Sequence, residues 1–201
     1  MSPSTDIRLL DAKAVRAAVE ATAKATVQDL GRPTPCSEWT LGDLLAHMTA
    51  QHRGFAAAAR GRGGDREAWQ VRPLGGDAVA AHAEAAEQVI AAFAEEGVLG
   101  REFMLAGFGP LGTAFPASTA ISFHFIDYVV HGWDVARALG SGYDLDPELL
   151  APALRVAGLV PGDAARLAPG AAFRPALQAA GCETGLDRIL ALLGRSPRWP
   201  E

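Results

Sequence analysis

From Leu10 to Leu30 apolar residues fall at Val15, Ala18, Val19, Ala23, Val27 and Leu30, close to one per 3.6 residues. That spacing predicts an amphipathic helix closing at Gly31, with Pro33 and Pro35 behind it. Thr40 with Asp43 three residues on reads as a capping box, and Trp39 with Leu44 as the staple across it. A second helix follows from Leu41 to Arg60. Gly61 to Gly76 is polar and rich in Gly and Arg, so it reads as loop. An Ala-rich third helix runs from Asp77 to Glu96 and ends at Gly97. Val98 to Pro116 carries too many Gly and Pro residues for a long regular element, and no segment shows a convincing strand alternation. A fourth helix starts at Ala117 or Ser118 and stops before Gly140.

Four such helices predict an all-α, four-helix bundle over residues 1–142. Residues 143–201 are expected to form a short C-terminal extension packed on it, with short helices near 147–160 and 186–193 and a loop at 161–175.

Composition changes this picture mainly by exclusion. At 201 residues and 49% hydrophobic, the chain has enough apolar material for one real core. No apolar run approaches the ~18 residues that span a bilayer, so no membrane partner is expected. The N-terminus lacks the basic and apolar stretches of a signal peptide, and a cytoplasmic location is expected. Net charge is −5 with scattered basic residues, which argues against nucleic acid. Cys36 and Cys182 lie far apart and in no CxxC pair, which rules out a cysteine-rich zinc site or disulfide framework.

The chemistry concentrates in the fourth helix. His124, Asp127, His131 and Asp134 follow one another at spacings of 3, 4 and 3, which places them on one helical stripe among apolar neighbours. Buried imidazoles and carboxylates need partners. In the second helix, His47 shares the stripe Leu44, His47, Met48, Gln51 and Phe55, and so is expected to point inward. An inward His47 meeting Asp127 and His131 makes a two-imidazole, one-carboxylate set suited to Zn²⁺, Fe²⁺, Ni²⁺ or Co²⁺. The bland readings stay open: hydrogen-bonded core histidines, and an Asp127 paired with an arginine. His124 is read as a substrate-side residue or a fourth ligand. Asp134 orients a ligand imidazole or makes an ordinary hydrogen bond. His52 and His82 are expected to face solvent, and Trp39 and Trp133 to be core.

The run from Thr34 to His47 resembles the "TPCxxWTVxDLLAH" signature of actinobacterial proteins in the DinB-like superfamily. More narrowly it is similar to the metal-binding domain of mycothiol-dependent maleylpyruvate isomerase. The run from Asp127 to Gly140 resembles that family's "E/DxxVHxWDLARATG", and Arg188 to Pro197 its "RLLALLGRxP" ending. The resemblance implies a DinB-like four-helix bundle, commonly a homodimer, holding a divalent metal (zinc, with nickel or iron as alternatives) on His47, Asp127 and His131. Two departures stand out. The isomerases have glutamate where this chain has Asp127, one methylene shorter. They also carry a further C-terminal domain with a functional arginine that does not map here, which argues against maleylpyruvate isomerisation itself.

The chemistry implied is a metal-activated thiolate, with mycothiol as cofactor, attacking an electrophilic small-molecule substrate in an S-transferase or isomerase reaction. Gln51 is the candidate for hydrogen-bonding a ligand and His124 for shuttling a proton. The alternative functions are a non-catalytic metal- or small-molecule-binding bundle with a regulatory role, and a metal-free catalyst or metal hydrolase on the same scaffold.

Overall fold

Local side-chain chemistry starts three of the four long helices of the computed structural model, which describes residues 6–36, 38–167, 172–178 and 184–201. The Asp6 carboxylate accepts the Arg8 backbone N–H at the head of α1 (Ile7–Thr22). Thr40 and Asp43 form the expected capping box of α2 (Leu41–Ala59). Asp77 caps α3 (Ala78–Ala94). At the far end of α4 (Ala117–Ala138) the chain turns through Gly140, whose φ is 67°. There Ser141 N–H reaches Ala136 C=O and Gly140 N–H reaches Arg137 C=O, satisfying carbonyls the helix leaves over.

Two expectations fail between these helices. α1 stops at Thr22 rather than running to Leu30. Thr26 and Asp29 build a capping box of their own around a separate 3₁₀ turn, Val27–Asp29, and Val27 is 61% exposed, so the apolar period continues in the sequence after burial has ended. The stretch expected to be irregular holds an antiparallel hairpin, β1 (Glu102–Leu105) and β2 (Thr113–Pro116), with Phe103 opposite Phe115. Only four residues a side take part, and only β1 buries alternate residues, Phe103 and Leu105, which left almost no pattern to read.

α1 packs on α4 and α2 on α3, with α1–α3 and α2–α4 contacts closing the square. The hairpin packs against α2 and α4. Beside it the core is apolar, with Phe55, Val89, Phe93, Phe103, Leu105 and Ile121. α2 is buried almost all round, including a run of alanines from Ala56 to Ala59.

The chain divides into two compact units, Met1–Tyr143 and Asp144–Glu201. In the second, a 3₁₀ turn at Pro147–Leu149 leads into α5 (Leu150–Leu159), which packs against α7 (Gly185–Leu192). A single helical turn, α6 (Asp163–Arg166), sits where only loop was expected. Arg166 is buried and donates to the carbonyls of Pro161, Val160, Arg174 and Leu192, tying this unit together. Cys182 lies outside the described residues. Among the described residues, no helix is long and apolar enough to cross a membrane.

Candidate metal centre

α2 and α4 bring His47, Asp127 and His131 together. One ligand atom from each lies within 4.8 Å of the others. His131 Nε2 is 3.3 Å from Asp127 Oδ1, and the His47 and His131 rings meet edge to face with centroids 5.4 Å apart. The i,i+4 spacing on one helix places Asp127 one turn below His131. His47 comes from the first half of α2, and the Thr40–Asp43 box sets where that helix begins.

The other nitrogen of His131 is also engaged. Its Nδ1 lies 2.9 Å from Asp134 Oδ2, which fixes the ring and leaves Nε2 directed at Asp127. Asp134 in turn accepts from Cys36 Sγ at 3.3 Å. Cys36, His131 and Asp134 thus form a second group of mutually close donor atoms sharing His131.

The electrostatics of the three residues differ. Burial pushes the His47 pKa down to about 4, with the charge of His131 adding to the effect and Asp127 opposing it. Burial works against ionisation of Asp127, but the neighbouring His131 outweighs it and holds the carboxyl at about 2. Burial disfavours a charged His131, yet Asp127, Asp134 and Cys36 raise its pKa well above the ordinary value. Without a cation, then, His131 carries the proton, Asp127 is ionised and His47 is neutral.

Trp39 belongs to this site rather than to the core. It is half-buried and lies over His47, ring centroids 4.6 Å apart, and 6.3 Å from the His131 ring. A cavity of about 370 Å³ opens here, lined by Glu38, Trp39, Asp43, His47 and Val71. A second cavity of about 290 Å³ shares Asp43 and Val71 and continues over Leu30, Pro73 and Leu74. Trp133 is buried as expected, with the Arg137 guanidinium 5.4 Å above its ring.

The donor set fits a borderline divalent cation. Two ligands about 2.0–2.2 Å from such an ion and about 90–110° apart stand about 3.0–3.5 Å from each other. The His131–Asp127 separation falls in that range. A carboxylate behind a ligand imidazole is the usual outer partner of a bound metal.

The remaining candidates are placed differently. His124 does not join the group: its Nδ1 faces Asp11 and its Nε2 faces His52, both deep in the bundle. It is therefore neither a fourth ligand nor a residue lining the cavity. Gln51 is half-buried one turn beyond His47 and is not among the cavity-lining residues. His52 and His82 are fully buried, not solvent-facing. His52 lies off the apolar stripe drawn through His47, but α2 is packed on more than one face, so leaving the stripe does not mean reaching water; His82 lies on the buried face of α3. Cys36 and Trp39 were missed as site residues, although both stand in the Thr34–His47 signature just before the helix that carries His47.

Comparison with known proteins places this geometry in a family. Residues 12–136 match the family described as mycothiol maleylpyruvate isomerase N-terminal domain. Two uncharacterized proteins of Mycobacterium tuberculosis, from strains CDC 1551 and H37Rv, are each 33% identical over 183 residues, covering 88% of this chain and 90% of theirs. Among solved structures, a mutant of the mycothiol-dependent maleylpyruvate isomerase superposes with a TM-score of 0.60 at 15% identity, over 82% of this chain and 71% of that one. The isomerase without that mutation gives 0.57 at 17% identity over the same shares. That likeness is one of fold, and the match over residues 12–136 carries the assignment: the chain belongs to the family of the mycothiol maleylpyruvate isomerase N-terminal domain.

Proposed function

We propose that this protein is a metal-dependent enzyme that uses a low-molecular-weight thiol, mycothiol, to transfer to or isomerise an electrophilic small molecule. His47, Asp127 and His131 are the ligands in this reading. The observation that carries it is the convergence of their three donor atoms within 4.8 Å at a site where His47 lines an open cavity. A divalent cation held there would supply Lewis acidity, lowering the pKa of a coordinated thiol so that thiolate is available near neutral pH.

The protein's own groups then have separable tasks. Asp134 holds the His131 ring so that Nε2 faces the ligand group. Trp39 packs against the His47 ring at a tilt and helps hold its orientation. Glu38 and Asp43 put carboxylates along the cavity wall, while Val71 gives it an apolar patch. Gln51 remains the candidate for hydrogen-bonding a ligand. Proton transfer by His124 is dropped from the reading, because both of its nitrogens are engaged in the interior.

The test is metal content by elemental mass spectrometry on wild type and His47→Ala, followed by turnover of mycothiol with a panel of electrophiles. About one equivalent at this site, lost in His47→Ala together with turnover, supports the reading. Metal without thiol turnover leaves the non-catalytic binding bundle. No loss of metal in His47→Ala overturns the ligand set.

A further inference from the structure

The interior of the bundle holds a second polar cluster, to which each long helix gives one residue. Asp11 comes from α1, His52 from α2, His82 from α3 and His124 from α4, and none of the four is exposed. Asp11 Oδ1 lies 2.7 Å from His124 Nδ1, and His124 Nε2 lies 3.2 Å from His52 Nδ1. Tyr128 stacks flat on His52 with centroids 4.1 Å apart, but its hydroxyl hydrogen goes to the Met48 carbonyl. Four buried polar atoms have no partner among the described residues: Asp11 Oδ2, His52 Nε2 and both ring nitrogens of His82. Each such atom is costly to bury unless something meets it.

We propose that His52 and His82 form a second, interior site for a transition-metal cation, with Asp11 and His124 as positioning residues. Facing helices of a bundle are a common place to build such a site, and imidazole ligands suit zinc, copper, iron and nickel. The centroid spacing leaves room for one ion where the open nitrogens of both rings face it. A ligating imidazole has its centroid about 3.2 Å from a zinc-sized ion. Rings 5.0 Å apart therefore subtend about 100°, a tetrahedral or octahedral angle and not a linear one. His52 is also supported in the manner of a ligand, with Nδ1 held by His124, His124 held by Asp11, and Nε2 left open. Burial pushes both imidazoles below the ordinary value, toward the neutral form that binds metal. Burial raises the Asp11 pKa, with His124 opposing, and a cation held nearby would draw its carboxyl toward the ionised form that offsets the charge.

An ordered water between the two rings is the competing occupant, and metal stoichiometry separates the two. The probe is Zn²⁺ or Co²⁺ alone, added to a His47→Ala/His131→Ala variant that disables both the first site and the Cys36–His131–Asp134 group and leaves the interior residues in place. After desalting, elemental mass spectrometry should find about one equivalent retained, with Co²⁺ giving visible absorption. Adding His82→Gln should abolish both, with helical circular dichroism unchanged. No retained metal in the double variant overturns the proposal, and so does metal that His82→Gln leaves in place. Should the His82→Gln protein fail to fold, the double variant alone decides: one equivalent with the absorption of nitrogen-ligated Co²⁺ supports the site, and none overturns it.

Discussion

The Asp134 carboxylate serves two partners through one oxygen: Oδ2 lies 2.9 Å from His131 Nδ1 and 3.3 Å from Cys36 Sγ. A residue well outside α4 is thereby linked through Asp134 to the orientation of the His131 imidazole. Outer carboxylates of this kind typically contribute about 10–100-fold to metal affinity. Asp134→Asn should therefore weaken Zn²⁺ binding by about that factor in a chelator competition, with helix content retained. Cys36→Ser, which keeps a donor to Asp134, should weaken it much less than Asp134→Ala. Equal affinity in Asp134→Asn and wild type would show that His131 needs no such support.

Under the proposed metal reading, the protonation states predict how many protons leave on binding. At pH 7 His47 is already neutral, with a pKa of about 4, and Asp127 is already ionised, with a pKa of about 2. His131 alone holds a proton, since its pKa is raised well above the ordinary value. Binding at this site should release about one proton. Calorimetric titrations in buffers of different ionisation enthalpy, on the His82→Gln background, read that number directly. Release of none or of two would contradict the ionisation pattern.

How much of this was legible in the sequence depended on how local the cause was. The Thr40–Asp43 box and the Gly140 turn are decided within a few residues, and α2 and α4 lie where spacing placed them. The end of α1 was not legible, because its apolar period runs on through Val27 after burial has stopped. His47, Asp127 and His131 stood out because two share one helix face and the third lies on a clear apolar stripe. Their companions Trp39 and Cys36 belong to a connector with no periodicity, and only the fold brings them to the site. His52 and His82 were misread because α2 and α3 are so rich in alanine that a polar residue on a second buried face gives no contrast.

Gly132, between His131 and Trp133, is a packing requirement. A Cβ built there would stand 2.4 Å from Tyr143 Oη and 2.7 Å from its Cζ. Overpacking of this kind costs about 1–3 kcal/mol. Gly132→Ala should lower the melting temperature accordingly and weaken metal binding by shifting the neighbouring His131. Tyr143→Ala should recover part of that loss, so the double variant is more stable than additivity predicts. Strict additivity would mean that the clash is relieved elsewhere.

Acid sensitivity follows from His82. Its folded pKa of about 4 lies below the ordinary 6.5, so between those values the unfolded chain binds a proton that the folded chain refuses. Stability from this residue is therefore fully present above about 6.5 and falls as pH drops toward about 4, by on the order of 3 kcal/mol. In chelator-treated protein, His82→Leu should flatten the stability–pH curve in that window. Denaturant unfolding at pH 7 and pH 5 measures it, and parallel curves for the two proteins would rule out His82 as the source.

The hairpin adds a consequence of another kind. It packs against α2 and α4, and β2 leads directly into the first turn of α4, whereas His47 lies in the first half of α2 and His131 in the last third of α4. Helices that run in opposite directions thus have an apolar, strand-buttressed end and a polar end that carries His47 and His131. Changes in the connector before α2, or in the segment around Val71 to Leu74, alter the polar end without touching the aromatic packing at the other. A scaffold divided in this way lets natural variation reshape one pole while the opposite pole continues to keep the chain folded.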